Sequence, residues 1–127
     1  MSAGASLTKA ALTALAGVES LSGRYDGPPL TAAFPHAVVE TGAEGDWGHK
    51  SGVGREIRLA VTIRDKGERP DRLRRLMAAA ETAVTGMSGA GGGWRIASLV
   101  FLRSRTMREG GLGWAGVSEF RARMLME

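Results

Sequence analysis

The last third of the chain predicts a long β-hairpin, and no other feature constrains the fold as strongly. Two segments, Trp94–Met107 and Trp114–Met124, have strand-like patterns, and the glycine-rich turn 108–113 joins them. In the return strand, Phe120 and Met124 alternate with charged residues. Such alternation is typical of a sheet with one face on a core and one face in water. Because arginine fills many polar positions and no catalytic group lies among them, the wet face favours assembly or polyanion contact over chemistry.

The length of 127 residues predicts a single domain, 1–127, with one core. Within it we expect residues 1–6 to be flexible and the polar, glycine-rich segments 42–54 and 86–93 to be mobile loops. The absence of cysteine excludes disulfides, thiolate metal sites and cysteine nucleophiles. We find no export signal and no run of roughly 20 apolar residues, so we expect a protein made inside the cell with no membrane partner.

Positive charge is concentrated in the second part of the chain. Residues 1–50 carry three basic and five acidic side chains, a net of −2, whereas residues 51–127 carry 14 and 8, a net of +6. Arginine accounts for 14 of the 17 basic residues, and it pairs well with carboxylates and phosphates. A GC-rich genome produces the same preference together with abundant alanine and glycine, so the arginine count alone does not define a function.

The rest of the chain predicts two helices and two strands. The first helix is capped by Ser6 and ends at Gly23, and the second begins at Pro70 and ends at Gly86. The two strands lie around 37–41 and 56–64. We expect residues 25–29, which include two prolines, to form a turn or linker. The order α-β-β-α-β-β predicts an α+β fold: a mainly antiparallel four-stranded sheet, two helices and a long C-terminal hairpin.

The patterns required for catalysis, metal binding or phosphate binding are missing. His36 and His49 are the only histidines, and neither has the partners of a catalytic triad or a zinc site; we expect His36 to be a partly exposed packing residue. The glycine run 86–93 has no Gly-Lys-Ser/Thr and follows a predicted helix, so it predicts a connector and not a phosphate cradle. We therefore predict no enzymatic activity, no cofactor and no metal.

A small nucleic-acid-binding module is the alternative function that the residues leave open. The hairpin offers a basic strip with two possible stacking platforms, Trp94 and Trp114; the strip comprises Arg95, Arg103, Arg105, Arg108, Arg121 and Arg123. The competing interpretation is that alternate strand positions must be polar, that the tryptophans pack against each other near the hairpin ends, and that Glu56 and Glu119 pair with some arginines.

The succession of elements resembles the tail-terminator or tail-completion proteins of long-tailed bacteriophages, prophages and gene transfer agents, over roughly residues 7–125. After the N-terminal amphipathic helix, the resemblance depends on the order of these segments: Phe34–Val39, a loop with Asp46, Trp47 and Lys50, the strand Arg55–Val61, a Leu- and Ala-rich helix, Trp94–Ile96, and a return strand with Trp114 and Phe120–Ala122.

The resemblance implies a structural virion protein that forms a ring, usually a hexamer, at the head-proximal end of a phage-like tail. Such a ring ends polymerisation of the tail tube and joins the tail to the head. The implied partners are further copies of the chain, the major tail tube protein and the head–tail connector (stopper) protein, while DNA only passes through the lumen. The implied location is the tail–head junction of a virion or phage-like particle, after synthesis in the bacterial cytoplasm. The candidate subunit or ring-to-ring contacts are Asp46, Trp47, Lys50, Arg103, Arg105, Arg121 and Arg123.

Overall fold

The computed structural model, which describes residues 1–127, has two helices packed on one face of a five-stranded sheet. In chain order the elements are α1 (Ala3–Leu15), β1 (Gly23–Asp26), β2 (His36–Asp46), β3 (Gly54–Lys66), α2 (Asp71–Thr85), β4 (Trp94–Glu109) and β5 (Gly113–Met126). The strand order across the sheet is β1-β2-β3-β5-β4, and all neighbours are antiparallel except β1 and β2. The predicted α+β class, the two helices and the C-terminal hairpin are confirmed; β4 runs two residues further into the turn than predicted, and β5 begins one residue earlier and ends two residues later.

The prediction of four strands is wrong because β1 adds a fifth, parallel strand at the sheet edge. It occupies part of the segment expected to be a turn, and it pairs with His36–Val39. The guanidinium of Arg24 donates hydrogen bonds to the carbonyls of Leu15 and Val18, which ties β1 to the end of α1. Four residues that include glycine and aspartate carry no readable strand signal, so tertiary pairing determines this element.

The expected loop at 42–54 is shorter than predicted. Strand β2 continues to Asp46 and β3 begins at Gly54, which leaves a loop of residues 47–53. A β-bulge interrupts the pairing of β2 with β3 between Thr41 and Glu44. The glycines and acids of this stretch are poor strand formers, but the ladder with β3 satisfies their backbone groups and overrides that preference.

Helix α1 starts earlier than predicted. It begins at Ala3, where Ser2 is the N-cap and accepts a hydrogen bond from the Ala5 amide at 3.1 Å, so residues 3–6 belong to the helix. Ser6 is not a cap: its buried hydroxyl donates to the Gly91 carbonyl at 2.6 Å and accepts from the Gly91 amide at 3.2 Å. These two bonds attach the glycine-rich connection 86–93 to α1.

Both helices bury their apolar stripes against the same face of the sheet. The buried cluster contains Leu7, Ala11 and Leu15 of α1, Leu73, Leu76, Ala80 and Val84 of α2, and Ile57, Leu59, Val61, Ile63, Phe120 and Met124 of the sheet. The predicted limits of α2, after Pro70 and before Gly86, are confirmed. Gly116 lets α2 approach the sheet, since a Cβ there would overlap the Met77 thioether. Neither helix is long and apolar enough to cross a membrane.

Candidate assembly surface

The side of the sheet that faces away from the helices, the open face, carries the hairpin arginines. Strand residues alternate between faces, and directly paired residues share a face. Because Leu59 and its partner Phe120 are buried under the helices, the neighbouring pair Arg58 and Arg121 points to the open face. The same alternation and register place all four predicted hairpin arginines there, which are Arg103, Arg105, Arg121 and Arg123.

Some of these arginines are neutralised within the chain. Arg103 Nε donates to Glu119 at 2.7 Å, and Arg123 Nε donates to Glu56 at 3.0 Å. The expectation that Glu56 and Glu119 pair with hairpin arginines is therefore confirmed. The four side chains are between 32% and 78% exposed, so each pair contributes about 0–1 kcal/mol to folding.

Three arginines of the open face have no acidic partner in the chain. Arg58 and Arg121 lie directly opposite each other on β3 and β5, and the buried Nε of Arg121 has no hydrogen-bond acceptor. Arg105 on β4 also forms no ion pair or side-chain hydrogen bond. Like charges placed opposite each other destabilise a sheet. The open face therefore carries uncompensated positive charge that an external anionic group would neutralise. Arg58 was not among the predicted site residues, although it occupies a wet position of the β3 pattern.

The loop between β2 and β3 brings together only part of the predicted set. The half-buried Trp47 lies under the Arg123 guanidinium, 5.4 Å from ring centroid to Cζ, and its ring meets His49 edge-on at 4.7 Å. The Trp47 amide donates to the Gly54 carbonyl at 2.9 Å and closes the loop. Asp46 and Lys50 are exposed and form no ion pair. Trp47 and Arg123 thus form one contact unit, while Asp46 and Lys50 remain free on the surface.

The other two tryptophans do not serve the open face. Trp94 pairs with Met126 and Trp114 with Arg108, so they lie at opposite ends of the hairpin, about 40 Å apart at roughly 3.3 Å per residue. The expectation that they pack against each other is wrong. Their indole Nε1 groups donate to the carbonyls of Met1 and Gly67, each at 3.0 Å, on the helix side of the sheet. They are consequently not stacking platforms for bases on the cationic face.

Two free sheet edges lie on opposite sides of the molecule. On one side β1 covers only His36–Val39, so Glu40–Asp46 is an uncovered strand edge, and all seven of its residues are exposed. On the other side β4 pairs with β5 alone, and Val100–Glu109 is mostly exposed. We call these segments the acidic edge and the basic edge. The sequence did not reveal the acidic edge because residues 42–46 were expected to lie in a loop.

The histidines and acids form no cluster that could hold a metal ion. His36 is buried, in contrast to the partly exposed position expected, with Nδ1 3.1 Å from the Ala33 carbonyl and its ring between Tyr25 and Phe34. No three histidine or carboxylate side chains lie close enough together to hold a metal ion.

An ion pair between the buried Asp65, near the end of β3, and the half-exposed Arg72 holds this end of the sheet against α2. Asp65 accepts hydrogen bonds from Arg72 Nε at 2.7 Å and Arg72 Nη2 at 2.5 Å, and from the Lys66 amide at 2.8 Å. Burial alone would raise the pKa of Asp65, but the Arg72 and Lys66 hydrogen bonds outweigh it and lower the pKa below its ordinary value. The same hydrogen bond from Arg72 raises the pKa of its guanidinium. This pair spans the turn 66–70 between β3 and α2. That turn contacts the hairpin tip, because the Gly67 amide donates to the Leu112 carbonyl and Trp114 Nε1 donates to the Gly67 carbonyl.

The chain is a small α+β domain with a cationic sheet face and two uncovered strand edges. The family model described as "Tail completion protein gp17" matches residues 5–125, and the chain therefore belongs to the tail completion protein gp17 family. The resemblance seen in the sequence is confirmed. A chain of the solved structure "Virion of native gene transfer agent (GTA) particle" has the same fold, with a TM-score of 0.66 and 22% identity over 98% of this chain and 99% of that one. Among curated proteins no relative matches significantly.

Proposed function

We propose that the protein is a virion structural component that forms a homohexameric ring at the head-proximal end of a phage-like tail. The ring ends polymerisation of the tail tube and joins the tail to the head connector, and DNA passes through its lumen. The observation that carries this proposal is the family match over residues 5–125, because it assigns nearly the whole domain to tail completion. The similar chain in a gene transfer agent particle supports a place in a tailed or tail-like particle.

The shape of the domain supports a ring. A cyclic ring needs two different surfaces on each copy, one to meet the copy before and one to meet the copy after. The acidic and basic edges lie at opposite ends of one sheet, which is the arrangement that such a heterologous interface requires.

The predicted site residues divide between two kinds of contact in this proposal. Arg103, Arg105 and Arg121 lie on or beside the basic edge and serve contacts between neighbouring subunits. Asp46, the last residue of β2, ends the acidic edge and serves the contact with the neighbouring subunit. Trp47 and Lys50 lie in the loop that follows, with Arg123 packed on Trp47, and serve contacts with the ring above or below. The tube protein and the connector protein are the proposed partners at the two ring surfaces.

Assembly on tail tubes tests the proposal. Purified protein is mixed with polymerising tube protein, and tube lengths and tube ends are scored by negative-stain electron microscopy. We expect short, uniform tubes with a ring at one end, and we expect Trp47→Ala to weaken capping while Val53→Ala, an exposed residue of the same loop, does not. Unrestricted tube growth with no bound ring would refute the proposal.

Nucleic-acid binding is the second candidate, and the unpaired Arg58, Arg105 and Arg121 favour it. If it is correct, the monomer binds DNA or RNA at moderate salt, and affinity falls steeply as salt rises. The positions of Trp94 and Trp114 count against it, since neither ring is on the arginine-bearing face. Fluorescence anisotropy with a labelled oligonucleotide separates the two functions, because the assembly proposal expects only weak binding by the free protein.

A further inference from the structure

The two free edges carry opposite charge. The acidic edge, Glu40–Asp46, has three carboxylates and no basic residue, which are Glu40, Glu44 and Asp46. The basic edge, Val100–Glu109, has three arginines and one glutamate, which are Arg103, Arg105, Arg108 and Glu109. Edge strands expose unpaired backbone groups and are templates for pairing with another chain. The charges therefore lie where a second strand would dock.

The acidic edge is largely unpaired within one molecule, and the basic edge keeps one unpaired arginine. Glu40 and Asp46 form no ion pair, and Glu44 reaches only Arg55, at 3.8 Å between two exposed side chains. On the basic edge, Arg103 pairs with Glu119, Glu109 pairs with Arg64, and Arg108 donates to the Glu68 carbonyl, whereas Arg105 has no partner. A second copy of the chain supplies the missing partners to both edges at once.

We propose that the acidic edge of one copy pairs with the basic edge of the next, so that the sheets of neighbouring copies join edge to edge. This inference rests on the proposed ring and specifies its subunit interface. Three successive antiparallel pairings across the sheet leave β4 antiparallel to β2. A second copy in the same orientation therefore presents β4 antiparallel to the acidic edge. Seven residues of strand pairing span about 23 Å, at roughly 3.3 Å per residue.

The same charges select against other pairings. Two basic edges, or two acidic edges, would place like charges opposite each other, which is unfavourable across a strand pair. A symmetric dimer through either edge is thereby disfavoured. Acidic-to-basic pairing is the favourable one, and because it is head-to-tail it builds a ring where the rotation between copies closes, and not a twofold dimer.

Charge reversal on each edge tests this pairing. One variant carries R103E and R105E, and the other carries E40K and E44K. Each variant alone now has two edges of like sign, whereas a 1:1 mixture restores complementary pairs at every interface of an even-numbered ring. R74E, an exposed reversal on α2 away from both edges, is the matched control. Circular dichroism melts establish that all variants are folded.

Assembly is measured by light scattering after size exclusion, with tube protein present if the wild type needs it. We expect each edge variant to require at least tenfold more protein to assemble, the mixture to assemble like the wild type, and R74E to be unaffected. Slower amide exchange at residues 101–107 and 40–46 in the assembled state gives a second measure. If each edge variant alone assembles as well as the wild type, the edge pairing is wrong, whereas the proposed ring still stands. Failure of the wild type itself to assemble would instead refute the proposed function.

Discussion

Removal of the Arg72 side chain tests whether its ion pair with Asp65 stabilises the contact between the end of β3 and α2. The Arg72→Ala change takes two hydrogen bonds from the buried Asp65 carboxylate and leaves only the one from the Lys66 amide. A buried carboxylate that loses charged donors costs about 1–3 kcal/mol, and the half-exposed position of Arg72 places the expected loss in the lower part of that range. In a domain of this size, 1 kcal/mol lowers the Tm by about 4 °C.

The loss of stability in Arg72→Ala must depend on pH, and the lowered pKa of Asp65 determines whether this loss grows or shrinks as the pH falls. A carboxyl whose pKa is lower in the folded state adds stability above its unfolded pKa of about 3.9, and this stability disappears as the pH falls through the folded value. The difference in unfolding free energy between wild type and Arg72→Ala is therefore largest at pH 7 and shrinks below about pH 4.

Urea unfolding followed by circular dichroism at pH 7 and at pH 3 measures both quantities. Arg74→Ala is the control. Arg74 is an exposed arginine of the same helix whose side chain forms no hydrogen bond or ion pair, so its removal should change stability by less than about 0.5 kcal/mol. An Arg72→Ala protein as stable as wild type at pH 7, or a difference that is the same at both pH values, would show that the ion pair does not hold this end of the fold.

Three further substitutions test the local structure. In thermal melts, Gly54→Ala should destabilise the protein by about 1–3 kcal/mol, because its Cβ would overlap the Trp47 carbonyl. The Cβ of Gly52→Ala meets open space, so this control should leave stability unchanged. Ser6→Ala should cost about 1–3 kcal/mol by leaving the Gly91 amide and carbonyl unpaired, and faster amide exchange at Gly91 would report it. Phe120→Leu should lower the free energy of unfolding more than Phe101→Leu, because Phe120 is fully buried whereas its strand partner Phe101 is 37% exposed; equal losses would contradict this difference in burial.

The sequence was sufficient where local signals and packing agreed. The second helix has proline before its start, glycine after its end and an apolar stripe between them, and the structure places it at Asp71–Thr85. The C-terminal hairpin was predictable because its alternation runs over many residues. The pairing of Arg123 with Glu56 also followed, since both occupy wet positions of regular strands.

The errors occurred where distant backbone pairing decides the structure. Strand β1 is four residues long and exists through its pairing with His36–Val39, which no local pattern reveals. Residues 42–46 have loop-like composition but are held in β2 by β3. This second error concealed the acidic edge, and with it the relation between the two sides of the sheet. The individual arginines could be named from the sequence, but their partners depend on which strand edges the topology leaves uncovered.

Native mass spectrometry of the assembled protein tests the central claim most directly. The protein is released from capped tail tubes, or assembled at high concentration, and its copy number is counted. We expect a closed species of six copies and no stable dimer. A protein that remains monomeric on the tube, or that assembles only as a twofold dimer, would contradict the ring.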